Sequence, residues 1–303
     1  MGAGGLGGYF GARLAAAGND VAFVARGAHL AAIRRDGLRV TSALGDLHLR
    51  DVAATDDPST LAPADVVIIG VKLWDTSAAA TAVKPLVRPG TAVVSFQNGV
   101  GKDDVLAGIL GREAIIGGVG QIGVVIASPG VIAHTGTMAK LIFGELDNRR
   151  SARVEALFAA CTGAAIDAEI ADDIGLAIWQ KFVFLVGMSA VTSTMRSTIG
   201  PIRANPHARG FLLDVVREAV AVGRAMGMAL PEDYAEQRMA FVERLPPQMT
   251  ASMQGDLARG NRLELPWLSG AVVDLGAKLG VPTPLNRAVR DILALYVNGT
   301  PPR

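Results

Sequence analysis

The chain has 303 residues, half of them hydrophobic, with 29 basic against 28 acidic side chains. Such a chain is long enough and apolar enough for two packed domains, which excludes a disordered protein. Near-neutral charge and only three Trp, three Tyr and nine Phe supply neither a basic field nor a stacking platform, so nucleic acid is excluded as a partner.

Cys161, the single cysteine, lies in the apolar stretch Leu157-Phe158-Ala159-Ala160-Cys161 and reads as a packed small hydrophobe. No cysteine pair or histidine cluster offers a metal site. The longest strongly apolar run, 182–191, is shorter than a membrane span, and the opening residues lack a secretory signal. A cytoplasmic protein with no membrane partner is expected.

In chain order, 1–170 alternate short β-branched runs with helical stretches, the texture of an α/β sheet. Strands are expected over 21–25, 65–71 and 91–95, and helices over 6–17, 28–35, 76–84 and 102–110. The continuous apolar character of these strands suits parallel strands covered on both faces. Strand-like pieces over 114–125, 131–135 and 140–143 predict a more antiparallel edge. A helix over 152–162 and a strand over 165–169 complete this domain. From 171 to 303 helical patterns take over, at 174–193, 206–228, 231–243, 263–279 and 284–297, broken at Pro246-Pro247 and around 255–261. An all-helical second domain follows. Its apolar faces suit internal packing or a homodimer equally.

The chain opens Gly2-Ala3-Gly4-Gly5-Leu6-Gly7-Gly8, a GxGxxG on Gly2, Gly4 and Gly7. Such glycines make a tight turn, admit a pyrophosphate to the backbone and pack a helix closely, with the helix N-terminus facing the anion. The motif alone is weak in a chain with 36 glycines, but a helix and then a strand follow in the right order. Gly2, Gly4, Gly5, Leu6 and Gly7 are therefore the candidate cofactor loop. A dinucleotide fold also requires a strand before the first glycine, where only Met1 stands, so several more apolar residues are expected upstream in the native gene.

Arg26 follows the second strand where NAD-preferring sites carry an acidic residue, which points to NADPH, with an ordinary loop arginine as the alternative. Lys72 and Gln97-Asn98-Gly99 lie just past the ends of the next two strands, where ligands bind in this architecture. Lys72 can meet a phosphate or a carboxylate, and Asn98 the nicotinamide ribose or the substrate; Asn-Gly is equally a common turn pair. Lys181, within Trp179-Gln180-Lys181-Phe182, either snorkels to solvent or serves as the cationic proton donor that a ketone reduction needs. Ser252 reads as a helix cap or a ligand hydroxyl, Glu264 as a solvated helix residue or a site acid. Asp172-Asp173 reads as a helix start. The four histidines have no evident acid partner.

The glycine-rich opening, Val71-Lys72, Gln97-Asn98-Gly99, Trp179-Gln180-Lys181, and Ser252-Met253-Gln254-Gly255-Asp256 followed by Glu264 together resemble the ketopantoate reductase (2-dehydropantoate 2-reductase) family over essentially the whole chain. The resemblance implies a Rossmann-type NADP-binding domain (1–170) and a helical, 6-phosphogluconate-dehydrogenase-like substrate domain (171–303). It implies NADPH-dependent reduction of 2-dehydropantoate to (R)-pantoate in pantothenate biosynthesis. By the same likeness Lys181 is the general acid, Asn98 lies near nicotinamide and substrate, Lys72 and Gln97 join the cofactor contacts, Ser252 binds the substrate carboxylate, and Glu264 organises substrate and cofactor. The family places asparagines four and eight positions after the lysine; here stand Leu185 and Ser189, with Ser189, Thr192 or Thr194 as candidate substitutes. A related reductase of another 2-oxo acid is therefore a second expectation, and a cofactor-binding regulator without turnover a third.

Overall fold

The computed structural model describes residues 1–301. It divides into two compact units, one of Met1–Gln97 with Gly101–Ala177 and one of Asn98–Val100 with Ile178–Arg303.

The first unit runs α1 (Gly5–Ala16), β1 (Ala22–Val24), α2 (Gly27–Asp36), β2 (Leu38–Thr41), β3 (Leu47–Leu49), β4 (Ala53–Thr55), β5 (Val66–Ile69), α3 (Thr76–Val83), β6 (Ala92–Ser95), α4 (Lys102–Leu110), β7 (Ile115–Ser128), β8 (Val131–Glu145), α5 (Ala152–Gly163) and β9 (Asp167–Ile170). A seven-stranded sheet has the order β3-β2-β8-β7-β6-β5, with β9 also paired to β8. The β5–β6 and β6–β7 pairs are parallel and β7–β8 is antiparallel. This is the Rossmann-like mixed sheet with flanking helices that the α/β texture predicts. Alternate residues of β6 serve opposite faces: Ala92 and Val94 enter the core with Phe10, Phe23 and Phe143, whereas Val93 joins Val67, Ile69 and Leu106. A strand buried on both faces reads as a continuous apolar run, which is why these strands were visible in sequence.

Three features depart from the expected elements. The short strands β2, β3 and β4 were not among the expected elements, although Leu38-Arg39-Val40-Thr41 alternates buried and exposed residues and Leu47-His48-Leu49 has the same apolar–polar spacing. The pieces 131–135 and 140–143 are one strand, β8, continuing through Gly136 at φ 80°. Finally, β1 pairs only with β4 in a separate two-stranded sheet. Residues 1–3 link the two sheets: the Met1 nitrogen donates to the Ile68 carbonyl and the Gly70 N–H to the Met1 carbonyl, while the Gly2 and Ala3 N–H groups donate to the Val24 carbonyl.

The second unit is helical, taking in most of α6 (Ile174–Thr194), then α7 (Ile199–Ala204), α8 (Pro206–Ala225), α9 (Tyr234–Val242), α10 (Ser252–Ala258), α11 (Ser269–Leu279) and α12 (Pro284–Leu293). The helix expected from 263 starts only at Ser269, because Leu265–Trp267 form a 3-10 turn with Pro266 in it. Asp173 accepts the Leu176 N–H and so starts α6, as its sequence suggested. By length and composition α6 is apolar enough to cross a membrane, unlike the ten-residue run judged alone; more than half of its most apolar window is buried within the protein. Close approach fixes its partner: a Cβ on Gly187 would meet Val216 Cγ2 at 2.5 Å, and one on Gly223 the Trp179 ring at 2.8 Å.

Arg153 ties together the strands that lead to the site. It binds Glu145 with two nitrogens at 2.8 and 2.7 Å and donates to the Thr91 and Glu113 carbonyls, so one guanidinium joins the starts of β6 and β7 to the end of β8. Burial works to raise the Glu145 carboxyl, yet the bonds from Arg153 and Ser151 hold it below the usual carboxylate range. The stability this carboxylate contributes is present above its unfolded-state pKa and lost as pH falls through the lower folded one. Glu145→Gln should therefore cost about 3 kcal/mol near neutrality, with a deficit that shrinks in acid. Urea unfolding at several pH values checks this; a pH-independent deficit would contradict it.

Candidate active site

In the first unit the glycine loop is built by close backbone packing. Gly2, at φ 84°, would place a Cβ 2.7 Å from the Val71 nitrogen, and a Cβ on Gly7 would strike the Gly2 carbonyl oxygen. Gly5 lies against β7, where its Cβ would stand 3.0 Å from the Val124 carbonyl. Gly4 differs, for a Cβ there meets nothing nearer than Ile126 Cδ1 at 4.0 Å. A side chain at Gly4 would obstruct whatever approaches the loop from outside rather than the fold itself. Gly4 is also the N-cap of α1 and supplies no side-chain cap, so the first-turn N–H groups face that approach. The residues thus fit a dinucleotide pyrophosphate. Leu6 can contribute only backbone, since its side chain packs towards Gly120.

The rim of this unit carries charge. Arg26 is the N-cap residue of α2, and its guanidinium donates to Asp75 at 2.9 Å. Lys72 is exposed beyond β5, its ammonium 5.7 Å from the Trp74 ring centroid. Gln97 is buried with both ends of its amide engaged: it donates to the Val71 carbonyl and Thr76 hydroxyl and accepts from Ser95. That amide is a strut holding the ends of β5 and β6.

Sequence reasoning missed three contributors. Val124 and Ile126 of β7 wall the glycine loop. His29 bridges it to the β7–β8 turn: the Gly130 N–H donates to Nδ1, which leaves Nε2 to donate to the Ala3 carbonyl at 2.8 Å. A partner 101 positions away leaves no local signal.

In the second unit Asn98, at the turn made by Gly99 (φ 85°), donates to Glu264 Oε2 at 3.3 Å. Glu264 is buried at the start of the 3-10 turn, which overturns its reading as a solvated helix residue. Lys181 is half-buried on α6, sharing a face with Leu185 and Ser189 at four-residue spacing; Ser189 is buried. Ser252 is exposed and begins α10, but Ala251 is its N-cap, so Ser252 does not cap the helix. The Ala251 N–H donates to the Thr192 hydroxyl at 3.4 Å, tying the start of α10 to the face of α6 that carries Lys181. Thr192 is thereby engaged and also donates to the Met188 carbonyl. Cys161 is buried and its thiol is pushed up to about 11 by burial, as an inert packed residue requires. No cluster of metal-ligating side chains occurs among the described residues.

Two family models match, ketopantoate reductase PanE/ApbA over 1–148 and ketopantoate reductase PanE/ApbA C terminal over 173–297. The chain belongs to the ketopantoate reductase family. It is 33% identical to the 2-dehydropantoate 2-reductase of Archaeoglobus fulgidus, covering 97% of this chain and 95% of that one. The PanE/ApbA family ketopantoate reductase of Ralstonia eutropha JMP134 superposes with TM-score 0.89 at 33% identity, over 98% and 97% of the two chains. A D-mandelate dehydrogenase solved with NADH and anilino(oxo)acetate shares the fold at TM-score 0.88 but only 21% identity, over 98% and 96%. The family and the Rossmann-like fold make the protein an NAD(P)H-binding oxidoreductase acting on a small substrate of the 2-oxo acid type.

The loop geometry separates two alanine substitutions. Gly7→Ala should cost about 1–3 kcal/mol through overpacking. Gly4→Ala should leave the melting temperature near that of the parent while weakening dinucleotide binding at least about tenfold, since the backbone approach is blocked. Thermal unfolding paired with calorimetric titration of cofactor checks both; equal behaviour of the two variants would contradict the assignment.

Proposed function

We propose that the protein is an NADPH-dependent 2-dehydropantoate 2-reductase, forming (R)-pantoate for pantothenate biosynthesis. One observation carries the reading beyond the family: Asn98, from the end of β6, is bonded to the buried carboxylate of Glu264 within the unit that also holds Lys181 and Ser252. Arg26 supports NADPH, as a basic residue stands after β1 where an acidic one would bind ribose hydroxyls. Gly2, Gly4, Gly5, Leu6 and Gly7 hold the pyrophosphate, with Lys72 as a second cation at the rim.

When bound, NADPH supplies the hydride that reduces the ketone carbon. The protein's own part is to stabilise the charge that develops on the ketone oxygen and to deliver a proton to it. Lys181 does both, its ammonium acting as the electrostatic partner and general acid. The Ser252 hydroxyl donates to the substrate carboxylate. Glu264 accepts the Asn98 N–H, which fixes the amide and turns its oxygen to accept from a hydroxyl. A proton donor and an organised carboxylate–amide pair serve turnover, which disfavours a regulator that only senses cofactor.

A second reading, reduction of a different 2-oxo acid, is favoured by Leu185 and Ser189. Leucine cannot hydrogen-bond a substrate hydroxyl, and a hydroxyl facing it loses a partner. The same fold serves a D-mandelate dehydrogenase, so fold alone selects neither acid nor cofactor.

Lys181→Ala should cut kcat by about 10²–10⁴-fold while cofactor affinity stays near normal. Wild-type turnover in that variant would remove Lys181 from the chemistry. Leu185→Asn separates the two substrates. It should raise kcat/KM for 2-dehydropantoate relative to simpler 2-oxo acids if the second reading holds, and bring little gain or a loss if 2-dehydropantoate is already the substrate.

A further inference from the structure

The Arg26–Asp75 pair is more than a surface ion pair, because it joins the proposed phosphate-reading cation to a carboxylate. Arg26 is 77% exposed, and a single Nη donates to Asp75 Oδ2 at 2.9 Å; the Asp75 side chain is 31% exposed. Asp75 is the residue immediately before α3 and makes no capping bond to it. Its charge is favoured there by the helix N-terminus, while its oxygen is directed at Arg26. The neighbouring Thr76 hydroxyl donates to the Leu73 carbonyl and accepts from Gln97, so it does not compete for the carboxylate.

We propose that Asp75 is a specificity-determining residue, a counter-charge that opposes the 2′-phosphate of the dinucleotide at Arg26 and so moderates discrimination between NADP(H) and NAD(H). The inference rests on the reading of Arg26 as the phosphate contact. One guanidinium offers five N–H donors, and Asp75 occupies one, so phosphate can bind without breaking the pair. The opposition is therefore of charge rather than of donors. A dianion that approaches a guanidinium already neutralised gains less, and it is repelled by the carboxylate a few ångströms away. Unphosphorylated dinucleotide carries uncharged hydroxyls in that position, and with the Asp75 oxygen directed at Arg26 there is no net charge for it to oppose. The effect belongs to exposed groups and is screened by salt.

Asp75→Asn isolates the charge, for the amide oxygen still accepts from Arg26. Calorimetric titration of NADP⁺ and NAD⁺ into the intact protein, without substrate and at low ionic strength, reads binding apart from turnover. Asp75→Asn should tighten NADP⁺ by about 3–10-fold, leave NAD⁺ within about twofold, and lose most of the gain in high salt. Unchanged or weakened NADP⁺ binding, or an equal shift for both ligands, would overturn the proposal. Arg26→Ala, titrated alongside, reports on the underlying reading: selective loss of NADP⁺ supports it, and equal effects on both ligands overturn it whatever Asp75→Asn does.

Discussion

Backbone packed on backbone at the start of the chain is the constraint on which the cofactor half depends. Gly2 approaches Gly70 and Val71 at the end of β5, and Gly7 approaches the Gly2 carbonyl, each so closely that a methyl group has no room. This contact aims the N-terminus of α1 outward and leaves Gly4 with clearance on its outer side. The rest of the rim is arranged around it. Gln97 holds the ends of β5 and β6, His29 pins Ala3 to the β7–β8 turn, and β7 walls the loop through Val124 and Ile126. The fold thus packs backbone on backbone at the loop whose geometry fits a dinucleotide pyrophosphate.

The helical half has a different logic. α6 is nearly all apolar, and one face carries Lys181, Leu185, Ser189 and Thr192 at intervals of about one turn. Thr192 anchors the start of α10, and so the position of Ser252 follows from α6. The Asn98–Glu264 bond joins residues 166 positions apart, one of them in a three-residue segment that clusters with the helices. In the proposed reading, Leu185 on the Lys181 face is where substrate choice is decided. Lys181, Leu185 and Ser189 occupy successive turns of that face.

Much of this was legible in sequence, and the misses share a cause. β5 and β6 were visible because strands covered on both faces are uninterrupted β-branched runs, and Lys72 and Asn98 followed from the rule that ligands gather at the ends of such strands. β2 and β3 do alternate, as Leu38-Arg39-Val40-Thr41 and Leu47-His48-Leu49, but a period held for only three or four residues does not stand out from the turns around it. The helix expected from 263 was extended too far upstream, since Leu263 and Leu265 are buried by a 3-10 turn that keeps apolar spacing without being part of the helix. The strut role of the Gln97 amide has no local signal, because its partners Val71 and Thr76 lie 26 and 21 positions away. Arg26–Asp75 and His29–Gly130 are pairings across 49 and 101 positions, which no local pattern records.

The most direct measurement is turnover of the purified protein on a panel of 2-oxo acids that includes 2-dehydropantoate, followed by oxidation of NADPH and, separately, of NADH. The account predicts stoichiometric conversion of 2-dehydropantoate to its 2-hydroxy acid with NADPH, faster than with NADH. Bound cofactor with no reduction of any 2-oxo acid by either nucleotide would contradict it.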